Sequence, residues 1–481
     1  MMKKSKLAIG VVVALGVVWA GGAWFTGQKA ETEYKRQIEY ANQQFKALGI
    51  SNTFNIEYKN KSFERNWFSS QVEDELIVAI PRESKEWKIP FSTKLYHGPL
   101  PLNHLAKFNL IPALFSAEGF IGKNESTQLL FDLTKSEKPL QYQASTSYGL
   151  STKGSLTLAK GEATNSKFTA QWSDVELNFD ANKDFKGAYS LETNEYRLNS
   201  SEDPSTFSWK GLKYEITFEP TKWQYLYTGK GTSTTEQFEM TVVDNAGNPM
   251  SYAEKGTKST TEISVNGDVI DFKGKNIVDE VLLDGKSLGK LTYNNELNHI
   301  DANALNALIE GFIEVVKASN HENADLMTKI IMQDWVKTHG MAILNNQPQI
   351  KINPISLSDE KGKLELDVNI ALAKNPTFDL MRGNFYKQFT DFAIDVQLNK
   401  ATVENIIDKL VPEAEKANAK AKIAASFAEA EQNGIAVNGE KSVTIKLVLE
   451  NGELKLNGTA IPEQQVQNAI FMLLMSGALP H

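Results

Sequence analysis

The sequence contains no cysteine in 481 residues. This absence excludes disulfide bonds, thiolate metal sites and cysteine nucleophiles together, because each of them needs a thiol side chain. It also suits an oxidising compartment, where a stray thiol is a chemical liability. Any chemistry in this chain must rest on other side chains.

An excess of positive charge is missing as well. The chain has 51 Lys and Arg residues against 59 Asp and Glu residues, which gives a net charge of −8. Proteins bind nucleic acid through clustered basic side chains that neutralise phosphates, so we expect no nucleic-acid partner. The apolar content of 41% is enough to build folded cores and argues against a disordered chain.

Histidine is scarce, and its spacing does not form a metal motif. No H-x-x-x-H or HExxH pair occurs. His97 and His104 are close in sequence, but Pro99 and Pro101 prevent a continuous helix from aligning them. The sequence therefore predicts no metal, cofactor or catalytic residue, and surface or capping roles explain the six histidines: His97, His104, His299, His321, His339 and His481.

One long apolar run is present, from Leu7 to Phe25. Its 19 uncharged residues would form a helix of roughly 28 Å, close to the thickness of the hydrocarbon core of a bilayer. A cleavable signal peptide has a shorter apolar core, of roughly 7–15 residues. We therefore predict an uncleaved transmembrane helix, with cleavage after a weak Ala20-Gly21-Gly22 match as the alternative.

The charges on either side of this run predict its orientation. Lys3, Lys4 and Lys6 precede it, and a mixed segment follows it. Because positive charge is retained in the cytoplasm, the N-terminus should be cytoplasmic and the residues after Gly27 exported. The predicted location is the bacterial inner membrane, with a single pass and a periplasmic body.

A helix is predicted directly after the run. Tyr34, Ile38, Ala41, Phe45 and Leu48 lie on one helical face, and Gly49 can end the helix. Sustained heptads would indicate a coiled coil, but only about two are present. We expect this face to pack on the domain that follows rather than to dimerise.

From residue 53 to about residue 293 the dominant period of the apolar residues is two, which predicts antiparallel strands with one packed and one wet face. Asn266-Gly267-Asp268 and Asp284-Gly285 are typical hairpin turns between such strands. One interruption, Leu102 to Ile121, predicts a short helix or two.

After His299 helices and strands alternate. Asp301 is the predicted N-cap of one helix, a second contains Leu326 and Trp335, and Pro412 should separate two more between residues 402 and 433. Strands are predicted around 364–370 and 392–398, a hairpin at 443–456, and a last helix at 462–479. The fold class is α+β, a mostly antiparallel sheet with helices packed on its C-terminal part. The predicted domains are 1–27 (cytoplasmic tip and membrane anchor), 28–298 (a helix plus a β-rich domain) and 299–481 (mixed helices and strands).

A serine motif occurs at Gly285-Lys286-Ser287-Leu288-Gly289, which matches the G-x-S-x-G nucleophile elbow of hydrolases. That elbow needs a strand before the serine and a helix after it. Here turn chemistry precedes Ser287 and strand-like alternation follows it. A hairpin is therefore the better interpretation, and a serine hydrolase is the less favoured alternative.

An aromatic group in the middle of the chain allows two interpretations. It could line a groove for an apolar or glycan ligand, or it could be sheet core and cross-strand pairing, which is the commoner use of such residues. The group consists of Trp209, Tyr214, Phe218, Trp223, Tyr225 and Tyr227.

Two local strings are unusual, Phe63-Glu-Arg-Asn-Trp-Phe-Ser-Ser70 and Tyr96-His-Gly-Pro-Leu-Pro-Leu102. Together with Phe108–Pro112, Asn451–Gly458 and the apolar run, they resemble the YdgA-like family of bacterial envelope proteins over essentially the whole chain. Asn66 stands where that family more usually has Gly, so the turn before Trp67 is expected to differ. The resemblance implies an inner-membrane-anchored periplasmic protein and supplies no catalytic residues.

These observations favour a non-enzymatic envelope protein that binds or scaffolds a partner in the periplasm. A groove for lipid is one specific version of this expectation, and an envelope protein is another candidate partner. A homo-oligomeric tether, assembled through the anchor and the first helix, is a further alternative.

Overall fold

The computed structural model describes residues 23–43, 45, 55–80, 85–184, 186–244, 247–318, 340–376, 386–466 and 468. Some of the elements predicted from sequence therefore lie outside the described residues. These are the anchor up to residue 22, the end of the first helix at Leu48, the helix around Leu326 and Trp335, and most of the helix at 462–479. No helix among the described residues is long and apolar enough to cross a membrane.

The first described element is helix α1, which covers residues 23–43. The other described helices are α2 (Leu102–Ala106), α3 (Gln128–Thr134), α4 (Ala302–Ala318), α5 (Lys400–Leu410) and α6 (Glu413–Gln432). Short 3-10 helices cover Met341–Asn346 and Tyr386–Gln388.

Strands make up the rest of the regular structure in the described ranges. They are β1 (Asn55–Arg65), β2 (Ser69–Ile80), β3 (Lys85–His97), β4 (Phe115–Ile121), β5 (Leu140–Thr146), β6 (Thr152–Leu158), β7 (Gly161–Thr164), β8 (Phe168–Trp172), β9 (Val175–Ala181), β10 (Gly187–Ser200), β11 (Thr206–Pro220), β12 (Tyr227–Val243), β13 (Pro249–Asn266), β14 (Val269–Leu283), β15 (Lys286–Asp301), β16 (Gln349–Ser358), β17 (Lys363–Leu372), β18 (Phe389–Asn399), β19 (Val437–Asn438), β20 (Ser442–Glu450), β21 (Glu453–Leu456) and β22 (Thr459–Ile461).

The chain divides into two compact units. Unit 1 comprises the described residues within Met1–Tyr196, Glu215–Pro220 and Ile309–Asp334, and unit 2 those within Arg197–Tyr214, Thr221–Leu308 and Trp335–His481. In unit 1 the antiparallel strand order is β1-β2-β3-β4-β5-β6-β9-β10, and β7 and β8 form a hairpin. In unit 2 strands β12 to β18 pair in sequence, and β20, β21 and β22 extend the sheet from β18. The predicted antiparallel fold is confirmed.

The core of unit 1 lies between α1 and one face of the sheet. Strand alternation places Val72 of β2 and Leu95 of β3 on this face, where both are fully buried. Ala30 of α1, Leu114, Phe115 and Ala117 complete the cluster, and Tyr34 packs against it. The prediction that the first helix packs on the following domain is therefore confirmed at Tyr34.

One predicted helical region is wrong in its second half. Residues 102–106 form the expected short helix, but 115–121 form strand β4. Ala113 and Leu114 donate backbone hydrogen bonds to Pro99 and Thr146, so the chain re-enters the sheet here. Pairing with β3 and β5 decided this segment, and its own sequence did not show that pairing.

Most predicted elements of the later chain are present. Asp301 caps α4, with its Oδ1 accepting from the Ala304 backbone N–H at 2.8 Å, and Pro412 separates α5 from α6. Helix α5 packs on the sheet of unit 2 and buries Thr402 and Ile407. Helix α6 has no buried residue, and it contacts α5 and strand β19.

Candidate functional site

The two unusual strings meet in space at the ends of β2 and β3. The His97 backbone N–H donates to the Phe68 carbonyl at 2.9 Å, and His97 Nδ1 lies 3.4 Å from the Trp67 carbonyl. His97 Nε2 also pairs with the Ser70 hydroxyl at 2.8 Å. The two strings that carry the family resemblance therefore form one structural feature. We call it the His97 junction (residues 66–70 and 96–99).

Helix α1 packs against this junction and covers it. Thr26 donates its hydroxyl to the Gly98 carbonyl at 2.6 Å, and both partners are buried. A Cβ atom at Gly27 would lie 2.6 Å from His97 Nδ1, so only glycine allows the helix to approach so closely. The imidazole of His97 is 1% exposed, and burial lowers its pKa below the ordinary value of 6.5. A neutral His97 is thus sealed between the sheet and α1.

A loop formed by residues 99–113 begins and ends at the same junction. The Gly98 N–H donates to the Leu114 carbonyl at 2.9 Å, and Ala113 to Pro99 at 3.0 Å. A Cβ atom at Gly98 would collide with the Ala113 carbonyl oxygen, which explains the glycine there. Helix α2 folds back within this loop, and the tip that follows it is Phe108–Pro112.

Large apolar side chains face solvent on the segments that meet at the junction. Phe108 is 93% exposed, Ile111 71% and Leu110 67% on the loop, and Trp67 is 64% exposed on the turn between β1 and β2. Trp24 and Phe25 are about half exposed on the first turn of α1. We call these six residues the apolar rim.

A buried polar group lies farther along α1. Asp74 of β2 is 2% exposed, and its carboxylate accepts hydrogen bonds from Tyr34, from Tyr58 at 3.2 Å and from Asn60 at 2.9 Å. Burial raises the pKa of Asp74 above 3.8 despite these donors, and burial also raises the pKa of Tyr34 and Tyr58. We call these four residues the Asp74 network. It fastens α1 to the sheet, and Asp74 at its centre is closed to solvent.

The Asp74 network has only a weak signal in the sequence. Ser70, Val72 and Asp74 alternate along β2 and all three are buried. Asp74 follows Val72 at the spacing of two that puts both side chains on the same face of the strand. This pattern indicates a carboxylate on the core face, where an ionisable group needs hydrogen-bond partners. The residues that satisfy it come from α1 and β1, and their proximity depends on the tertiary fold.

A cleft of about 470 Å³ lies on the other face of the same sheet. Lys94 and Tyr96 of β3 point into it, because they alternate with the buried Leu95 and His97. Its remaining polar and aromatic lining consists of Lys107, Glu118, Phe120, Lys138, Gln141, Tyr142, Gln143, Ser155 and Thr157. We call it the polar cleft.

The charge in the polar cleft is predominantly positive, with three lysines against one glutamate. Glu118 pairs with Lys107 at 3.2 Å and accepts from Asn103 at 3.1 Å. Burial alone would raise the pKa of Glu118, but these bonds outweigh it and lower the pKa, so the carboxylate stays ionised. Lys94 and Lys138 lie over the rings of Tyr96 and Phe120, at 5.2 and 5.0 Å from the centroids.

The serine motif does not form a nucleophile elbow. Residues 284 and 285 form the turn between β14 and β15, and Ser287 pairs with Leu282 inside that hairpin. Strand β15 continues after the serine, where the elbow would need a helix. His299, a histidine that follows the motif in the sequence, is exposed at the far end of β15. The predicted hairpin is confirmed.

The other sequence candidates are dispersed. The ring centroids of Trp209 and Phe207 are 4.9 Å apart, and those of Phe218 and Tyr189 are 6.3 Å apart. Trp223 donates its indole N–H to the side-chain oxygen of Asn303 at 2.9 Å. Tyr214 and Tyr227 are about 40% exposed. Within the described part of the chain, no group of three or more His, Asp and Glu side chains is arranged to hold a metal ion.

Comparison with known proteins places these features in a family. The chain is 40% identical over 326 residues to an uncharacterized protein of Haemophilus influenzae, covering 66% of this chain and 88% of the relative. It is 26% identical over 498 residues to Protein YdgA of Escherichia coli (strain K12), covering 95% and 94% of the two chains. No solved structure matches.

The family match extends over nearly the whole chain. A family described as "Bacterial protein of unknown function (DUF945)" matches residues 2–477. The resemblance inferred from the two strings is therefore confirmed. The chain belongs to the DUF945 family of bacterial proteins, and the residues of the His97 junction, the apolar rim and the polar cleft all lie within the matched range.

Proposed function

We propose that the protein is anchored in the bacterial inner membrane by residues 7–25, with a periplasmic body that binds a polar, anionic ligand without chemical turnover. The anchor follows from the length of the apolar run and from the lysines before it. The binding role follows from the polar cleft.

The course of α1 along the sheet supports the anchoring part of the proposal. Thr26 bonds Gly98 at one end of β3. Asn42, farther along α1, bonds Tyr58 of β1 at 2.8 Å. Tyr58 pairs with Leu76 of β2, which in turn pairs with Ile89 of β3, so Asn42 lies near the level of Ile89. The sixteen steps from residue 26 to residue 42 of the helix span roughly 24 Å, and the eight steps from residue 89 to residue 97 of the strand span roughly 26 Å. The described part of α1 therefore runs along β3, with its first residues at the His97 end of that strand. A membrane helix ending at Phe25 would hold that end of the sheet at the bilayer.

The lining of the polar cleft indicates the class of ligand. Lysines attract negative charge, while the amides of Gln141 and Gln143 and the hydroxyls of Ser155 and Thr157 can bond hydroxyl-rich groups. Aromatic rings beside them can stack on the apolar face of a sugar. An acidic saccharide combines these properties. This lining is unlike the apolar groove expected for a lipid chain and favours a polar ligand.

Membrane anchoring can be tested on the native protein. We expect it to resist extraction by alkaline carbonate and to carry its C-terminus in the periplasm, where a fused alkaline phosphatase is active. Release of an intact chain by carbonate, or an inactive phosphatase with a fluorescent cytoplasmic fusion, would contradict the proposal.

Ligand binding can be tested with polygalacturonate as the probe. We expect saturable binding that salt weakens, and weaker binding after Lys94→Gln or Lys138→Gln, because each removes a cation from the cleft. Lys153→Gln is the matched control, since Lys153 lies on β6 outside the cleft lining and pairs with Asp180. Equal loss in all three variants would indicate nonspecific charge attraction and reject the site.

A further inference from the structure

The apolar rim presents a surface that the fold does not use. Its six residues belong to three separate segments, which are the first turn of α1, the turn before β2 and the loop of residues 99–113. The hydrogen bonds of Thr26, His97 and Ala113 hold all three segments at one place. Exposed apolar groups collected from distant parts of a chain indicate an interaction surface rather than isolated surface residues.

Two observations identify what covers this surface. The apolar run of the sequence ends at Phe25, which is itself a rim residue, so the rim includes the point where the predicted anchor enters the folded body. The rim also contains two tryptophans and two phenylalanines, the rings of which favour the interface between lipid and water.

We infer that the apolar rim is a second membrane contact, in which Trp67, Phe108, Leu110 and Ile111 enter the interfacial layer of the bilayer beside the anchor. Such contacts reach about 5–10 Å into the boundary between headgroups and acyl chains. The rim then fixes the tilt and rotation of unit 1 on the membrane, which a single helix cannot fix alone. The inference rests on the proposed anchoring but concerns different residues.

The absence of cysteine allows a direct test, because a single introduced thiol is the only labelling site. Phe108→Cys and Leu110→Cys, each carrying an environment-sensitive NBD label, are placed in the full-length protein in phosphatidylethanolamine–phosphatidylglycerol vesicles. Leu129→Cys is the matched control. Leu129 is 68% exposed, as Leu110 is 67% exposed. Its helix α3 lies near Lys88, nine residues and roughly 30 Å along β3 from His97.

We expect blue-shifted emission at positions 108 and 110 and a loss of that emission when the lipids carry a doxyl quencher high on the acyl chain. The control at position 129 should keep its emission in both vesicles. If the labels are not quenched although the protein resists carbonate extraction, the membrane contact of the rim is overturned and the proposed anchor stands. Quenching that requires a labelled second copy, instead of quencher lipid, would assign the surface to self-association and also overturn the inference. Extraction by carbonate, with quenching retained on added vesicles, would reject the anchor alone.

Discussion

At the scale of single residues, the described structure is distinguished by buried polar groups that hold α1 to the sheet. Asp74 accepts three side-chain donors, and His97 pairs with Ser70 beneath Gly27. Such groups are costly to bury and costly to leave unpaired, so each of them specifies where α1 must sit.

Tyr34→Phe should destabilise unit 1 by about 1–3 kcal/mol, because the buried carboxylate of Asp74 loses a donor that water cannot replace. Hydrogen–deuterium exchange of β2 measures this loss within unit 1. Tyr148→Phe is the control, since Tyr148 is 50% exposed, and it should change stability by less than about 0.5 kcal/mol. Similar effects of the two substitutions would contradict a special role for the Asp74 network.

The raised pKa of Asp74 predicts a pH dependence. Between pH 3.8 and the raised pKa the folded state keeps a proton that the unfolded state has lost, so this contribution to the free energy of unfolding falls as pH rises through that window. Asp74→Asn removes the effect. The difference in β2 exchange between the native protein and Asp74→Asn should therefore change from pH 4 to pH 7, with the native protein relatively more stable at the acidic end. A difference that is constant with pH would show that Asp74 ionises without cost.

At the scale of elements, α1 connects the predicted anchor to the body of unit 1. It is fastened at both ends, by Thr26 to Gly98 and by Asn42 to Tyr58. Its apolar contact is narrow, because small residues such as Ala23 and Ala30 face the sheet and allow close approach. An element of this kind transmits orientation rather than acting as a flexible linker.

Gly27→Leu should lift the first turns of α1 from the sheet. The new side chain would overlap the buried His97 ring, and overpacking of this kind costs about 1–3 kcal/mol, more than the roughly 1 kcal/mol that the helix gains on losing a glycine. Faster amide exchange in residues 26–34, compared with the native protein, is the measurement. Gly149→Leu serves as control, because a Cβ there meets only Ser147 Oγ at 3.8 Å. Unchanged exchange in α1 after Gly27→Leu would mean that the close approach to His97 is not maintained in solution.

At the scale of the whole molecule, the first residues should decide on which side of the membrane both units lie. Replacing Lys3, Lys4 and Lys6 together by glutamate removes the positive charge before the apolar run. Because positive charge sets the orientation, the variant should lose much of the periplasmic C-terminal phosphatase activity of the native fusion. Neutral substitutions of three lysines in the exposed helix α6, Lys416, Lys420 and Lys422, are the control and should leave that activity unchanged. Full activity in the glutamate variant would show that export does not depend on these charges.

The sequence by itself determined the strands and most hairpins, because a period of two with turn residues between the runs is a local signal. Asp284-Gly285 and Pro412 behave as their chemistry requires, and Ser287 was correctly placed in a hairpin. The helices predicted for residues 102–121 were only half correct, because residues 115–121 pair with β3 and β5 and form strand β4.

Only the tertiary structure decided which distant residues share a site. The two unusual strings were visible in the sequence, but their meeting at His97, the closure by Gly27 and the gathering of Trp67 with Phe108 and Ile111 depend on strand register and helix placement. The polar cleft likewise combines side chains from four strands whose individual patterns showed only a wet face. Local periodicity carries the identity of elements, whereas the contacts among side chains far apart in sequence follow from how those elements pack.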